Sequence, residues 1–479
     1  MIKYILYLFY FSTCSIGAAE LNTLGDIQIR EEENSQPFRL VLDDFYDWKN
    51  DFFNPTEKES NVYNLLDNAN IPVNKIVETL QSLEKTGNDC AARALAGIYL
   101  QGTQVPYNRV EALKILQKAA IRGDKIAKRI TGQLLLDPQY TDYSPQLAFS
   151  YLQEAKEGGD EEAGVFLAVT RILELHPQKN SVAGLQDLTA LSKKGNPLAQ
   201  MYLLLTNRAL LMQAGKDTEK TDAEMNQLAS SSSRLTYIAA LNQSGEHRKE
   251  YQEKLAKANH PLGIILKAKY YIEEGDWNMG AFMLSKPPVD KIPEAQNQLG
   301  GFLFLCFMNQ PDPDLKEHLG REFISLFQAA SAQHHQRSEY RLASLLIFAG
   351  PSFIKNYSDQ EKLRMLEILK RAARTDDAEA LNNYGYQYLI GFYTKKDLKE
   401  GEKWLLKSAE KNYAPALTNL ALLYSGELND EAGEATPIDY EKSIELLERA
   451  KKLGDADAQR QIDYLKEISL KQNKEIPEN

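Results

Sequence analysis

The sequence predicts an all-α protein, an α-solenoid of stacked antiparallel helix pairs. The first observation is a Gly-Asp or Gly-Asn turn signal that recurs every 36 residues in the first half of the chain. The second is a set of small residues and leucines at fixed distances from these turns. The third is the near absence of extended alternating Val, Ile and Thr runs, which would indicate strands. Internal repetition therefore determines the predicted fold.

Each turn signal joins the end of one helix to the start of the next. Glycine suits the left-handed position that closes a helix, and Asp or Asn suits the N-cap of the helix that follows. The regular pairs are Gly123-Asp124, Gly159-Asp160 and Gly195-Asn196, with Asn412-Tyr413 and Gly454-Asp455 in equivalent places further on.

The helix before each turn, named helix B, carries a small residue eleven positions ahead of the turn and a leucine seven ahead. These spacings place both on one helical face. The small residues are Ala112, Ala148, Gly184, Gly401 and Ser443, and the leucines are Leu116, Leu152, Leu188, Leu405 and Leu447.

The helix after each turn, named helix A, has the pattern small-x-x-x-Leu-small. A small residue at one fixed point lets neighbouring helices approach closely, at a helix-propensity cost of up to about 1 kcal/mol for glycine. Pro197, Pro261, Pro293 and Pro415 fall in the first turn of a helix A, where the missing amide costs nothing. The second small residues are Ala96, Gly132, Ala168, Gly300, Ala343, Gly385 and Ala421.

This combination resembles the Sel1-like repeat, a relative of the tetratricopeptide repeat. The motif A-x3-L-(G/A)-x2-Y opens each copy and K-A-A-x2-G closes it, most clearly in 89–124, 378–413 and 414–455. The resemblance implies a superhelical scaffold with adaptor roles, but says little about activity. Some cysteine-rich relatives are linked to β-lactam binding, but the paired cysteines they carry are missing here.

The repeats and the regions around them divide the chain into eight segments. They are a signal peptide (1–19), an acidic aromatic arm (20–61), N-terminal capping helices (62–88), regular Sel1-like repeats (89–196), degenerate helical repeats (197–260), longer divergent repeats (261–377), regular Sel1-like repeats (378–455), and a C-terminal capping helix and tail (456–479).

The first segment predicts export to the periplasm or the outside. Lys3 precedes an apolar run at 4–11, and small residues lead to a cleavage point before Glu20. No later stretch reaches the 18 apolar residues of a membrane helix, so no membrane insertion is expected after signal removal. Cys14 leaves open a lipid-anchored alternative, although the residues before it fit a lipobox poorly.

Charge and cysteine content narrow the partners further. The formal net charge is -11, which disfavours nucleic acid and anionic membranes. Cys90 and Cys306 lie far apart in the chain, so we expect no disulfide between them.

Motifs for chemistry are nearly absent. The six histidines form no metal-ligand pattern and are interpreted as surface or turn residues, and no C-x-x-C, Walker or nucleotide-binding motif occurs. Ser-x-x-Lys occurs at Ser82, Ser352 and Ser408, but the K-T-G that follows Ser82 shares Lys85 with it, so the two cannot play separate roles. We therefore expect no catalytic residues, no metal and no cofactor.

What remains is the surface of the helices. The stretch "NNYGYQYLIGFY" supplies the candidate partner-binding residues Asn383, Tyr386, Gln387, Phe392 and Tyr393, whose side chains suit peptide recognition. Tyr384 and Tyr388 belong to the packing pattern instead. A second candidate is the acidic aromatic stretch 43–53, which either binds a partner or packs on the first repeat.

The favoured function is an exported, non-catalytic scaffold that binds a protein or peptide through the concave groove of the superhelix. One alternative is an envelope enzyme acting on peptidoglycan or β-lactams. Another is an endoplasmic-reticulum quality-control adaptor, which would carry glycans at Asn242 or Asn356. The identity of the partner and the oligomeric state stay open.

Overall fold

The computed structural model describes residues 39–474, except for 43, 45–47, 54–56, 58–59, 69, 103–104, 141, 178–179, 244, 350–357, 375–377, 392, 430–434 and 456. The predicted signal peptide and Cys14 lie outside these residues. The described residues form helices throughout, and their only β pairing is an isolated bridge between Tyr140 and His335. The predicted all-α class is confirmed.

The helices alternate along the chain as two types. From α4 onward, even-numbered helices are of type A and odd-numbered helices of type B. Three helices come first: α1 (Trp48–Asp51), α2 (Asn61–Asp67) and α3 (Val73–Lys85). Then follow α4 (Asp89–Gln101), α5 (Arg109–Arg122), α6 (Lys125–Leu135), α7 (Pro145–Glu157), α8 (Glu161–Ile172), α9 (Ser181–Lys193), α10 (Pro197–Gln213), α11 (Glu219–Ala229), α12 (Ser233–Asn242), α13 (Gly245–Lys257), α14 (Pro261–Glu273), α15 (Trp277–Leu284), α16 (Pro293–Asn309) and α17 (Pro313–Ser331). The last are α18 (Gln336–Ala349), α19 (Asp359–Ala373), α20 (Ala378–Ile390), α21 (Leu398–Glu410), α22 (Ala414–Tyr424), α23 (Tyr440–Lys452) and α24 (Ala458–Lys474).

The predicted turn chemistry is confirmed at the regular repeats. Gly123 closes α5 with φ +107°, and the Asp124 carboxylate accepts a hydrogen bond from the Ala127 amide at 2.6 Å at the start of α6. Gly159 and Gly195 also have positive φ, while Asp160 and Asn196 cap α8 and α10 in the same way. Asn412 takes this place before α22, with φ +58°.

The prolines stand where the sequence predicts them. Pro415 lies in the first turn of α22, and α21 has already ended at Glu410. Pro197, Pro261 and Pro293 occupy the first turns of α10, α14 and α16. Because the first amides of a helix have no intrahelical acceptor, proline costs no hydrogen bond there.

The recurrent small residues mark close crossings between the A and B helices of one repeat. A carbon added at Gly132 would lie 2.7 Å from Leu152 Cγ, and one added at Gly184 would lie 2.6 Å from the Ala168 carbonyl oxygen. Ser443 uses the same proximity, since its hydroxyl donates to the Ala421 carbonyl at 2.8 Å. Larger side chains at these points would force the helices apart.

The described residues divide into two compact units, 39–336 and 337–474. In the first unit one hydrophobic core extends from Val41 to Leu266, and in the second a core extends from Leu389 to Leu465. Neighbouring A helices pack on one another, as α8 does on α10 and α20 on α22, and in the described part of the chain no two B helices do so to the same extent. From α6 to α12, and again at α20 and α22, the A helices thus form a layer of their own.

The first unit contains a contact across a long sequence distance. The Arg109 amide donates to Gln333 Oε1 at 2.9 Å, and the Arg109 guanidinium lies 3.9 Å from the centre of the Tyr140 ring and bonds Asp142 and the Leu134 carbonyl. Burial raises the pKa of Tyr140 well above its ordinary value. This cluster fastens the start of α5 to the turn that follows α17.

Two further expectations concern cysteines and membranes. Cys90 and Cys306 are both present as thiols and not as members of a disulfide. Among the described helices, none combines the length and the apolar character needed to cross a bilayer.

Gly184→Ala tests the close crossing. Because the added methyl would meet the Ala168 carbonyl oxygen at 2.6 Å, we expect the unfolding free energy to fall by about 1–3 kcal/mol. Thermal and urea unfolding of the full chain measure the loss.

The matched control is Gly164→Ala, which is also the fourth residue of its helix. A carbon added there meets its nearest neighbour, Leu191 Cδ1, at an ordinary 3.4 Å. Alanine should leave the stability unchanged or raise it by up to about 1 kcal/mol through helix propensity. Equal stability of the two variants would contradict the tight crossing.

Candidate functional site

The predicted partner-binding residues on α20 and after it are mostly interior. Asn383, Gln387 and Tyr393 are 2%, 0% and 4% exposed, so their predicted role as surface contacts is wrong. Tyr386 is half-buried and stays a surface candidate, while Phe392 lies outside the described residues. Tyr384 is buried, as its place in the packing pattern predicts.

A hydrogen-bond network explains why Asn383 is inside. Its amide nitrogen donates to the Tyr340 hydroxyl at 2.9 Å and to Ser344 Oγ at 3.2 Å, both on α18. Asn382 donates to Asn383 Oδ1 at 3.1 Å and accepts from Asn419, on α22, at 2.9 Å. The asparagines therefore join three successive A helices rather than face solvent.

Gln387 and Tyr393 hold the loop between α20 and α21. The Tyr393 amide donates to Gln387 Oε1 at 3.3 Å, and the Tyr393 hydroxyl donates to the Ala343 carbonyl at 2.9 Å. Both contacts satisfy buried polar groups, which is their structural role.

The second candidate, the acidic aromatic stretch, packs on the first repeat. The Trp48 ring lies against α4 at Gly97, where an added carbon would overlap the ring. Phe52 and Phe53 are buried beside it, and the buried Arg93 of α4 donates to the Phe52 carbonyl. Of the two interpretations of 43–53, the structure supports packing for Trp48, Phe52 and Phe53.

A short segment that overlaps the start of this stretch contacts three A helices. We name 39–44 the tethered segment; Asp43 within it lies outside the described residues. The Asn242 side chain, at the end of α12, accepts from the Arg39 amide at 2.6 Å and donates to the Arg39 carbonyl at 3.3 Å. The side-chain amide of Asn242 thus pairs with both main-chain groups of Arg39.

Two residues further on, the tethered segment reaches α10. The Val41 amide donates to the Tyr202 hydroxyl oxygen at 3.0 Å. Alternate residues of an extended chain point to the same side, so the spacing of Arg39 and Val41 fits an extended segment. Burial raises the pKa of Tyr202 to about 12, which keeps its phenol protonated.

The tethered segment ends in a buried carboxylate on α14. Asp44 Oδ1 lies 3.1 Å from His260 Nε2, and the two side chains are 2% and 0% exposed. His260 is the N-cap of α14, and its Nδ1 accepts from the Gly263 amide at 3.2 Å. Since Nδ1 is an acceptor, the proton lies on Nε2, which faces the Asp44 carboxylate.

The side of α10, α12 and α14 that contacts the tethered segment is named the A face. An ion network reaches it from α6 and α8. Arg129 and Arg234 both contact Glu162 Oε2, at 3.1 Å and 3.2 Å. Burial by itself opposes ionisation, but the charges of Arg234 and Arg129 hold the pKa of the Glu162 carboxyl below its ordinary value. Arg234 and Asp44 also lie near enough to influence the ionisation of Tyr202.

The A face offers hydrogen-bond donors and acceptors for an extended chain and a carboxylate. Within the described residues there is no group of three or more His, Cys, Asp or Glu side chains placed to hold a metal ion.

Family comparison agrees with the repeat pattern. The family model for the Sel1 repeat matches residues 91–124, 130–160, 378–413 and 414–455. The chain contains Sel1 repeats. The three copies that the sequence shows most clearly are among them. Along the chain, α10, α12 and α14 come after the first two matched ranges and before the last two.

Solved structures of Sel1-repeat proteins are distant from this chain. A protective antigen present in uropathogenic Escherichia coli strains, displaying an SLR fold, is 15% identical over 89% of this chain and 94% of its own, with a TM-score of 0.38. A Sel1 repeat protein from Oxalobacter formigenes is 17% identical over 85% of this chain and 95% of its own, with a TM-score of 0.24. At TM-scores this low, neither adds to the fold. No curated protein sequence matches the chain.

Sequence reasoning alone does not find the A face. The histidines are predicted at the surface or in turns, and His260 does lie in a turn, but fully buried. A signal is present: Asn259 has φ +57°, so Asn259-His260 has the same turn geometry as the Gly-Asp pairs, with histidine as the capping residue. Asn242 stands out in the sequence only as a glycosylation site, and nothing there connects it to Arg39.

Asn383→Ala tests the network between the Sel1 repeats of the second unit. The change leaves Tyr340, Ser344 and Asn382 without a shared partner, so we expect a loss of about 1–3 kcal/mol in unfolding free energy. Urea unfolding measures it. Asn64→Ala, at an exposed position of α2, should change stability by less than about 0.5 kcal/mol. Similar effects of the two would contradict the structural role of Asn383.

Glu162→Gln tests the ion network through acid stability. A lowered pKa in the folded state means that Glu162 stabilises the protein above the unfolded pKa of about 4.3, and that this stability is lost as the pH falls through the folded value. We expect the variant to be about 1–3 kcal/mol less stable than the wild type at pH 7.

Below the folded pKa of Glu162 the difference in stability between the variant and the wild type should shrink, because the wild type then loses the same charge. Unfolding at neutral pH and near pH 3 measures both differences, with the exposed Glu78→Gln on α3 as control. A stability difference near pH 3 as large as that at neutral pH would argue against the lowered pKa of Glu162.

Proposed function

We propose that this protein is an exported, non-catalytic adaptor that binds a protein or peptide segment through the inner faces of its A helices. Sel1 repeats form helical scaffolds of the kind typical of protein-interaction adaptors, and the chain contains them at four positions. Binding through the A helices and export go beyond that family resemblance and are the content of the proposal.

The observation that carries it is the pairing of Asn242 with both main-chain groups of Arg39. Contacts to the main chain provide affinity without demanding one particular sequence. The Val41 amide on Tyr202 extends the same mode to the next A helix. A layer of A helices that holds one extended segment in this way has the chemistry to hold another.

Rigidity of the layer supports the same function. The asparagine network joins α18, α20 and α22, and the ion network joins α6, α8 and α12, so both networks fix A helices against one another. Side chains held on packed helices keep a binding geometry better than loops do. Tyr386, half-buried on α20, is the candidate contact in the second unit.

The proposed export rests on the first 19 residues, whose charged start, apolar run and small-residue end fit a signal peptide. It places the adaptor in the periplasm or outside the cell.

Site-specific photo-crosslinking tests the binding layer. A photo-reactive residue replaces Tyr386 on α20, or Leu406 on the B helix α21 as the matched control, where the side chain is 41% exposed. In the native cell we expect a discrete adduct from position 386, identified by mass spectrometry, and none of that mass from position 406. Adducts from both positions alike, or from the B helix alone, would overturn binding through the A layer.

A further inference from the structure

We propose that the tethered segment is a built-in ligand of the A face, and that the partner of this face is an extended peptide segment whose carboxylate replaces Asp44 on His260. This rests on the proposed function, because it assigns an occupant and a ligand class to one binding layer. The partner segment would displace residues 39–44.

The first argument is that the A face is organised without the tethered segment. Asn242 Nδ2 also donates to the Ile238 carbonyl of its own helix at 2.8 Å, which fixes which way the amide points. His260 Nδ1 accepts from the Gly263 amide, and the Tyr237 ring stacks on the imidazole with centres 5.4 Å apart. Groups held by the repeats themselves form a site before a ligand arrives, which lowers the cost of binding.

The second argument is the selectivity of the contacts. Arg39 and Val41 are recognised through main-chain groups, which any residue except proline offers. Asp44 is recognised through its side-chain carboxylate, on His260. The required ligand is therefore an extended segment with a carboxylate five residues after the residue on Asn242 and three after the residue on Tyr202.

Burial adds an apolar requirement between these points. Val41 and Leu42 are buried in the core of the first unit, and Leu40 packs partly against it. A partner segment would carry apolar residues at these three places, directly before the acidic end. Its chemical class is an apolar-acidic peptide in extended conformation.

The third argument concerns how a tethered occupant regulates access. A segment joined to its site by a short linker acts at an effective concentration on the order of 1 mM. A free peptide must compete with that concentration, so its apparent Kd on the intact chain is near or above that value. Weakening the tethered segment removes the competition without altering the site.

The experiment uses the full chain and a fluorescent peptide with the sequence of residues 37–46. In fluorescence anisotropy we expect weak binding to the wild type. We expect at least about tenfold tighter binding to the double variant Val41→Pro/Asp44→Ala, because its own segment no longer competes. Adding Asn242→Ala to the double variant should reverse the gain, since the site itself then loses its main-chain contact.

Two controls separate the site from general effects. Glu78→Ala removes an exposed acid of α3 and should leave peptide affinity at the wild-type level. A peptide with alanine in place of the residue equivalent to Asp44 should bind the double variant at least about tenfold more weakly, in the range for an unpaired buried donor.

A second variant covers the case in which the double variant folds poorly. A protease site inserted between Asp44 and Trp48 leaves residues 39–44 unchanged in sequence and covalently joined to the chain until cleavage, after which the free segment exchanges with the labelled peptide. Binding after cleavage but not before supports the proposal.

Unchanged affinity after both weakening and cleavage would overturn it, and so would a gain that Asn242→Ala does not reverse. Conversion of the uncleaved wild type to a dimer in size-exclusion chromatography, without peptide binding, would instead assign the A face to the segment of a second copy. The crosslinking experiment at Tyr386 tests the second unit, so a negative result for the A face does not by itself contradict the proposed adaptor function.

Discussion

The close crossing of each A helix with its B helix is the constraint on which the rest of the structure depends. At Gly385 and Gly401 a carbon added on either helix would lie 3.0 Å from the carbonyl oxygen of the other. Glycine in a helix costs about 1 kcal/mol, and the many contacts that form when two backbones approach offset that cost. A crossing so near to backbone contact leaves little freedom in how one repeat stacks on the next.

That stacking brings the A helices together and determines their polar chemistry. Side chains of different A helices come within hydrogen-bond distance. Asn419 reaches Asn382 on the preceding A helix, and Arg234 of α12 reaches Glu162 of α8. Buried polar groups of this kind stabilise only when each is satisfied, which explains why the candidate residues on α20 turn inward. The face that holds the tethered segment is made by the same layer, from Asn242, Tyr202 and His260.

Local features of the fold follow from the sequence because they depend on neighbouring residues. The turn at Gly123-Asp124 and the helix start at Pro415 are set by backbone conformation and missing amides within a few positions. The candidate site depends on contacts far apart in the chain, such as Arg39 on Asn242, 203 residues away. Helical periodicity also gives a residue's face but not its neighbours, so it predicts a surface position for Asn383 although α18 and α22 enclose it.

Because the protein carries a net negative charge, the preference of the A face for an acidic residue depends on short-range contacts. The chain carries a net charge of -11, so an acidic segment is repelled as it approaches, within the Debye length of about 8 Å at physiological salt. The tethered segment never crosses that distance, whereas a free partner must. Once in place, an apolar residue at the position of Asp44 would remove the carboxylate that lies 3.1 Å from the buried Nε2 of His260, and a buried polar group that loses its partner costs about 1–3 kcal/mol. Discrimination thus arises from the penalty on the wrong side chain more than from attraction to the right one.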